Sequence, residues 1–452
     1  MARLWESNRA VLPPLPRLGE LVAEYGPAAF ILCLPLEFTG TYLPQQLSRL
    51  VLGVVALAFL YLLLVGRRRL LIPRSAGLAL LVLYVAASLV SWAVTRPPGS
   101  TSSVLDVALY PAVTLLLANL VLDEADQRRA WNAFLASALV VALLGIVVAF
   151  THLAIWTPNR LVGARLNITF GDPNITARFL TLGACAAIVL FATRKSPPWL
   201  CAATAVTCAA VLPLTLSRSG LFVFVLAVLI AVGMAVERRR AAAMTLVAVV
   251  ALGISVAADP TARQRAEDAA ATVISILTGG PASLSPGAGH GQNAAADNRV
   301  YLVKAGLQMF RDHPVTGVGF GGYQHALLTG YANFLPRNLD AANLDTLSHA
   351  ALVTVLAEQG VIGTALFVAF LLGLAFEAWR GRHRRDSWSP WAVIPATLMV
   401  PIFVYSQIEG RFIQEPYFWL AVGLLYSALM RQREAVAGSG AQITPGQRQK
   451  IA

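Results

Sequence analysis

Two side chains in this sequence combine a reactive type with an unusual position. His349 stands where the polar run LDTLS gives way to the apolar run AALVTVL, and Arg218 lies within the largely apolar stretch VLPLTLSRSGLFVF. The positive end of a helix dipole disfavours imidazolium, so a histidine at a helix start is expected to be neutral and able to accept a proton. An arginine at a membrane boundary needs a partner, and its planar fork matches phosphate oxygens. Together they predict a general base beside an anion site; helix capping and snorkelling are the structural alternatives.

The composition indicates what must hold these residues in place. The chain has 452 residues, of which 57% are hydrophobic and 13% charged, and a mean hydropathy of +0.65. Runs of about 20 apolar residues are long enough to cross a bilayer as helices. We therefore predict an all-α polytopic membrane protein with about twelve transmembrane helices, near residues 21–39, 47–66, 75–95, 103–122, 130–152, 174–193, 198–216, 219–236, 241–258, 348–378, 389–407 and 412–430.

The net charge of +12 is explained by membrane topology. Every basic cluster follows an even-numbered span, so the positive-inside rule places both termini and all of these loops in the cytoplasm. This pattern argues against a nucleic-acid partner. The clusters are Arg67–Arg69 with Arg74, Arg128–Arg129, Arg194–Lys195, Arg238–Arg240, and Arg380, Arg382, Arg384 and Arg385.

The same topology divides the chain into four parts. Transmembrane helices 1–9 occupy residues 1–258, an extracytoplasmic loop domain 259–347, helices 10–12 residues 348–430, and a cytoplasmic tail 431–452. Within the loop domain, 278–298 is rich in Gly, Ala, Ser and Pro and is predicted to be mobile, whereas 299–310 has the spacing of an amphipathic helix. The GxGxxG at 317–322 follows no strand, so tight turns or close backbone approach explain it better than dinucleotide binding.

The predicted topology projects a set of polar residues toward the outer face. They include His349 and Arg218, the candidate base and anion-binding residue, together with Asn174, Arg178, Ser217, Arg299 and Arg411. No acidic cluster accompanies these residues, so neither a metal nor another cofactor is predicted, and arginines must neutralise the phosphate.

Several short motifs resemble the O-antigen ligase and polymerase superfamily. They are GDPN at 171–174, LTLSRSGL at 214–221 and RVYLVKAGLQMFRDHPVTGVGFGGY at 299–323, all within a similar region of roughly 170–430. His349, Ala350, nine further residues and then Gly360-x-x-Gly363 match the spacing of the ligase branch. Ala350 stands where those ligases usually carry Asn, Ser or Gln.

The resemblance implies a C-type glycosyltransferase (GT-C) architecture in the bacterial inner membrane, with its active site on the periplasmic face. It implies transfer of O-antigen polysaccharide from undecaprenyl pyrophosphate to a sugar hydroxyl of lipid A-core, with inversion and without a metal. On this hypothesis the catalytic residues are His349, which removes the acceptor proton, and Arg218 and Arg299, which hold the pyrophosphate. The substrate-binding residues would be Asn174, Ser217 and, as weaker candidates for the anion site, Arg178 and Arg411. Both lipid-linked substrates would enter between helices from the membrane. The oligomeric state is left open.

Two alternatives stay open. An O-antigen polymerase would use the same donor with a second undecaprenyl-linked chain as acceptor. From another class, a transporter or flippase for an anionic lipid would line a path with its arginines. A transporter should carry charges through the depth of the membrane, but the sequence gathers its polar candidates at one face.

Overall fold

The computed structural model describes residues 14–37, 39, 43, 46–151, 165–278, 290–335, 348–384, 386–410 and 412–441. These residues form fifteen α-helices and two 3₁₀ segments, and no strand occurs among them. The helices are α1 (Pro14–Cys33), α2 (Leu47–Leu64), α3 (Ala76–Thr95), α4 (Thr101–Leu120), α5 (Glu124–Thr151), α6 (Pro173–Thr193), α7 (Pro198–Val211), α8 (Arg218–Met234), α9 (Arg238–Ala258), α10 (Pro260–Thr278), α11 (His290–Asp312), α12 (Tyr323–Thr329), α13 (Ala351–His383), α14 (Ser389–Glu409) and α15 (Pro416–Ala441).

Nine helices of the described chain are long and apolar enough to cross a membrane: α2 to α6, α7 with its 3₁₀ extension, α9, α13 and α14. The apolar helix α8 is shorter, at 17 residues. Helices α1 and α15 overlap the first and last predicted spans. The predicted all-α, multi-pass membrane architecture is therefore confirmed, with nine clear spans in the part of the chain that the structure describes, where the sequence indicated about twelve in all.

Helix α6 lies at the centre of the bundle, with 89% of its most apolar 18-residue stretch buried inside the protein. Small residues let its neighbours approach closely. A Cβ on Gly183 of α6 would lie 2.7 Å from the Cβ of Ala138 on α5, and one on Gly220 of α8 would lie 2.6 Å from the Cβ of Ala177. Close packing of small residues is a main source of helix association in lipid. This close packing holds α6 in place against α5 and α8, and residues at the start of α6 contribute to the polar end of the bundle.

Helix α13 is broken at Gly360, whose φ of 59° and ψ of −157° are not helical. The turn before α12 fills the break: the Val361 amide donates to the Pro314 carbonyl, and the amides of Val318 and Gly319 donate to carbonyls of α13, each at 2.9 Å. A Cβ on Gly317 would lie 2.3 Å from the α13 backbone. The close approach predicted for these glycines is therefore to a helix backbone.

The segment predicted as the loop domain is more helical than the sequence indicated. Helix α10 occupies its beginning, and α11 begins at His290 rather than at Arg299. The expectation of a loop over 278–298 is wrong for its last part, while 279–289 lie outside the described residues. The run QNAAADN contains three alanines, the strongest helix formers, and this outweighs the polar composition.

Candidate functional site

Arg218 is the first residue of α8, and the local sequence builds its position. Leu216 adopts a left-handed backbone with a φ of 52°. The hydroxyl of Ser217 then caps the helix by accepting from the Gly220 amide at 3.1 Å. Ser217 is 1% exposed, whereas Arg218 is half-buried. The turn thus fixes the backbone of Arg218 at the helix N-terminus, where the dipole adds to the attraction for an anion.

A polar network ties this turn to α6. The Ser217 hydroxyl donates to Asn174 Oδ1 at 2.8 Å, and the Tyr405 hydroxyl of α14 donates to the Asn174 carbonyl at 2.9 Å. Arg165 donates to Asn174 Oδ1 at 2.8 Å and to the Thr215 carbonyl at 3.1 Å. Burial lowers the pKa of the Arg165 guanidinium from its ordinary value. Asn174 therefore joins the start of α6 to three other segments: the residues around Arg165, the turn before α8, and α14.

His349 lies immediately before α13 in a strained backbone conformation. Its φ is 57°, in the left-handed region, whereas Ala350 is extended and stands at the N-cap. A residue other than glycine in this region costs about 1–3 kcal/mol, and such strain concentrates at functional sites. Gly410 presses directly on the histidine: a Cβ added there would lie 2.8 Å from His349 Cα. The tight turn after α14 therefore fixes the backbone position of His349, from which the imidazole extends.

The cap of α13 is supplied from a distance. Ala350 has no side-chain acceptor, and the Leu352 amide donates to Gln407 Oε1 of α14 at 3.1 Å. The Gln407 amide in turn donates to Ser406 Oγ at 2.9 Å and to the Phe403 carbonyl. Gln407 thus provides the capping oxygen that an Asn or Ser at position 350 could have provided.

The two helix starts belong to one polar region. The hydroxyl of Ser219, next to Arg218, donates to Glu409 Oε1 at 3.3 Å. Glu409 ends α14 and adjoins Gly410, which contacts His349. The structure therefore brings Asn174 and Ser217 into contact and places Arg218 and His349 at the same end of the bundle. We call it the His349 end.

Arg178 forms a buried ion pair. Its Nη1 lies 2.6 Å from Glu415 Oε2, and the side chains are 6% and 1% exposed. The Arg178 guanidinium also lies over the Tyr405 ring, 5.6 Å from its centroid. A compensated, enclosed guanidinium is poorly placed to receive a substrate anion. The geometry favours a structural role, in which Arg178 anchors the segment after Gly410 to α6.

A small cavity of about 80 Å³ opens beside the start of α13. Thr354, Glu358 and Gln359 of α13 line this cavity. Gly410 and Phe412, in the turn after α14, line its other side. Glu358 is 6% exposed and accepts from the Tyr323 amide at 3.1 Å. The carboxylate thus joins α13 to α12, in line with a structural role.

Two predicted residues are not placed at the level of side chains. Arg299 lies in α11, and only its backbone is among the described parts of the chain. Helix α11 packs along the first turns of α13, where a Cβ on Gly306 would lie 2.7 Å from Val353 Cγ1. Arg411 lies outside the described residues. Both assignments stay predictions.

Sequence reasoning missed Arg165, Tyr405 and the pairing of Glu415. Arg165 could have been found by the criterion that selected Arg218, since it lies in the largely apolar run RLVGARLNITF before a predicted span. Tyr405 and Glu415 carry no such signal, because their partners on α6 are distant in sequence. The described residues contain no group of three or more His, Cys, Asp or Glu side chains that could hold a metal ion. Metal-independent chemistry stays a prediction.

The fold and site define a multi-pass helical membrane protein with a polar site at one end of its bundle. Residues 203–368 match the model of the family described as O-antigen ligase, and this match supports membership of the chain in the O-antigen ligase superfamily. The matched range contains Ser217, Arg218, Arg299 and His349, and it excludes α6 and α14. It supports an O-antigen ligase or polymerase type of function. No curated protein matches the chain.

Proposed function

We propose that this protein is an inner-membrane glycosyltransferase that moves O-antigen polysaccharide from undecaprenyl pyrophosphate to a sugar hydroxyl of lipid A-core. The observation that carries the proposal is the strained His349, clamped by Gly410 at the end of the bundle where Arg218 opens α8. A base and an arginine positioned by rigid elements meet the first need of glycosyl transfer, which is orientation.

The residues act in the following order. His349 removes the proton of the acceptor hydroxyl, and the oxygen attacks the anomeric carbon from the face opposite the phosphate. The bond between that carbon and the phosphate oxygen breaks, with inversion. Undecaprenyl pyrophosphate leaves with one more negative charge, which Arg218 and Arg299 neutralise. Preorganised positive charge of this kind usually gives the largest electrostatic contribution.

The other predicted residues take supporting roles. Asn174 and Ser217 hold the α8 start through their hydrogen bond, so we assign them to positioning Arg218. Arg178 anchors the segment after Gly410 through Glu415. The periplasmic orientation of the His349 end follows from the positive-inside pattern. Lateral entry between helices suits two lipid-linked substrates.

Transfer between purified components tests the proposal. Full-length protein in liposomes receives undecaprenyl-pyrophosphate-linked glycan and lipid A-core, and glycosylated core is measured. We expect His349→Ala to lower the rate by about 10²–10⁴-fold, the usual contribution of a general base, and Arg218→Ala by about 10²–10³-fold. His383→Ala is the matched control, because His383 lies at the far end of α13 and its ring contacts the Trp379 carbonyl.

A folded His349→Ala protein that transfers glycan at the wild-type rate would show that the base is another group. The acceptor is settled in cells that lack the protein. Loss of a ligase leaves bare core while long polymer accumulates on undecaprenyl pyrophosphate, whereas loss of a polymerase leaves core capped by one repeat. The second pattern would reassign the chain to the polymerase branch.

A further inference from the structure

A cleft rich in arginine lies at the opposite end of α13, which we call the His383 end. Its volume is about 230 Å³. Beyond the break at Gly360, the 23 residues of α13 from Val361 to His383 span about 35 Å at 1.5 Å per residue. This is long enough to cross a bilayer, so we place the cleft and His349 on its opposite sides. The lining of the cleft includes Arg74, Phe376, Glu377, Arg380, Arg384 and Arg433.

The floor of the cleft is rigid. The Ser75 hydroxyl donates to Glu377 at 2.7 Å and also lies 3.0 Å from the Tyr426 hydroxyl. The Gln432 amide donates to the Gly381 carbonyl at 3.0 Å. A Cβ on Gly381 would lie 2.6 Å from Leu429 Cδ2, so this glycine lets α13 and α15 meet closely. These contacts join Ser75, α13 and α15 beneath the arginines.

The charge of the cleft is strongly unbalanced. Four guanidiniums and one carboxylate belong to the described residues that line it. That carboxylate, on Glu377, is 8% exposed and already accepts from Ser75. All four arginines are exposed, and the Arg433 guanidinium donates to the Arg74 carbonyl. Clustered cations on a fixed floor attract an anion.

An apolar strip leads into the cleft from the membrane side. Leu372 and Phe376 are 66% and 54% exposed, and their spacing of four residues places them on one face of α13. Trp379, which is 57% exposed, stacks near Phe376 with ring centroids 6.1 Å apart. Exposed aromatic side chains at a helix end are typical of the headgroup level. Exposed apolar side chains of this kind offer an acyl chain a surface to pack on.

We propose that this cleft binds an anionic glycerophospholipid, with the headgroup phosphate among Arg74, Arg380, Arg384 and Arg433 and an acyl chain along Leu372 and Phe376. Basic pockets between transmembrane helices bind anionic headgroups by this chemistry. The site is independent of the transfer reaction, and its effect is to anchor the His383 end of α13.

Native mass spectrometry of the full-length protein with phosphatidylglycerol or phosphatidylethanolamine tests the site. We expect tighter retention of phosphatidylglycerol and a loss of about 25-fold in the Arg380→Gln/Arg384→Gln variant. This is about fivefold for each arginine, the equivalent of about 1 kcal/mol per basic residue at an anionic surface. Arg382→Gln is the control, because the Arg382 guanidinium lies on the α8 side, 2.9 Å from Met234 Sδ. It should change binding less than twofold.

Competition with glycerol phosphate separates a lipid from a free phosphate. Weak competition supports the proposal, whereas binding of glycerol phosphate as tightly as of phosphatidylglycerol would make this a soluble-phosphate site and overturn it. Equal retention of the two lipids, or an equal loss in Arg382→Gln, would also overturn it. Circular dichroism checks that each variant is folded. The single variant Arg384→Gln, at an exposed position, replaces the double variant if that one unfolds.

Discussion

The starts of α8 and α13 lie at the same end of the bundle but are built in different ways. Each follows a residue with a left-handed backbone, Leu216 and His349. Helix α8 is capped by Ser217 from its own sequence. Helix α13 is capped by Gln407, 55 residues further along the chain, and Gly410 clamps the preceding histidine. The position of Arg218 is therefore a local property, whereas that of His349 depends on α14 and the turn after it.

The largest effect is expected at the Arg178–Glu415 pair, which joins α6, the helix bonded to the α8 start, to the segment that follows Gly410. Glu415→Ala leaves a buried guanidinium uncompensated, so we expect the free energy of unfolding to fall by about 3–5 kcal/mol. Thermal unfolding in detergent measures it. The exposed Arg194–Glu237 pair is the matched control, and Glu237→Ala should cost less than about 1 kcal/mol. Equal losses in the two variants would contradict the structural role of Glu415.

Gly410→Ala should distinguish the two helix starts most clearly, because it acts on the residue before α13. The new Cβ would lie 2.8 Å from His349 Cα, at a backbone φ of 75°. We expect the free energy of unfolding to fall by about 1–3 kcal/mol. The transfer rate should fall by about 10²-fold, because the imidazole is displaced from the position in which it removes the acceptor proton. Gly233→Ala is the control, since nothing lies within 4 Å of its Cβ position. An unchanged rate in Gly410→Ala would show that His349 does not depend on this turn.

Gln407→Ala removes the distant cap of α13. We expect a loss of about 1–2 kcal/mol in unfolding free energy, together with a lower transfer rate. Gln407→Glu keeps an acceptor for the Leu352 amide at a helix N-terminus, where a carboxylate is favourable, but it cannot donate to the Phe403 carbonyl, so it should restore part of the lost stability. Thermal unfolding of both variants checks this. If both are destabilised equally, the contact of Gln407 with Leu352 is not the source of the effect.

Ser217→Ala should have the smallest effect. It removes the local cap of α8, worth about 1 kcal/mol. Asn174 keeps its bond from Arg165, and Arg218 keeps its place in the first turn, so the transfer rate should fall less than in Gln407→Ala. Unfolding and transfer assays on the same preparations give both quantities. A larger rate loss in Ser217→Ala would mean that the α8 start is the more sensitive of the two.

Much of the bundle could be predicted from the sequence, because a span is a local pattern of apolar residues whose length matches the bilayer. Predicted and observed helices overlap from α1 to α9 and from α13 to α15. The points along the chain where helices begin, at Arg218 and near His349, could also be predicted, because each is marked by a polar residue before an apolar run. Composition failed at 290–298, where alanines extend α11 into a segment predicted as a loop.

The sequence by itself thus determined the class of the protein, the helix starts and the residue types placed there. The tertiary structure alone decided the partners. It paired Arg178 with Glu415, placed Gln407 and Gly410 around His349, and broke α13 at Gly360 to admit the turn before α12. Each contact joins residues that are far apart along the chain. Such pairs leave no periodic signal in the sequence, because they are set by how the helices pack rather than by any one helix.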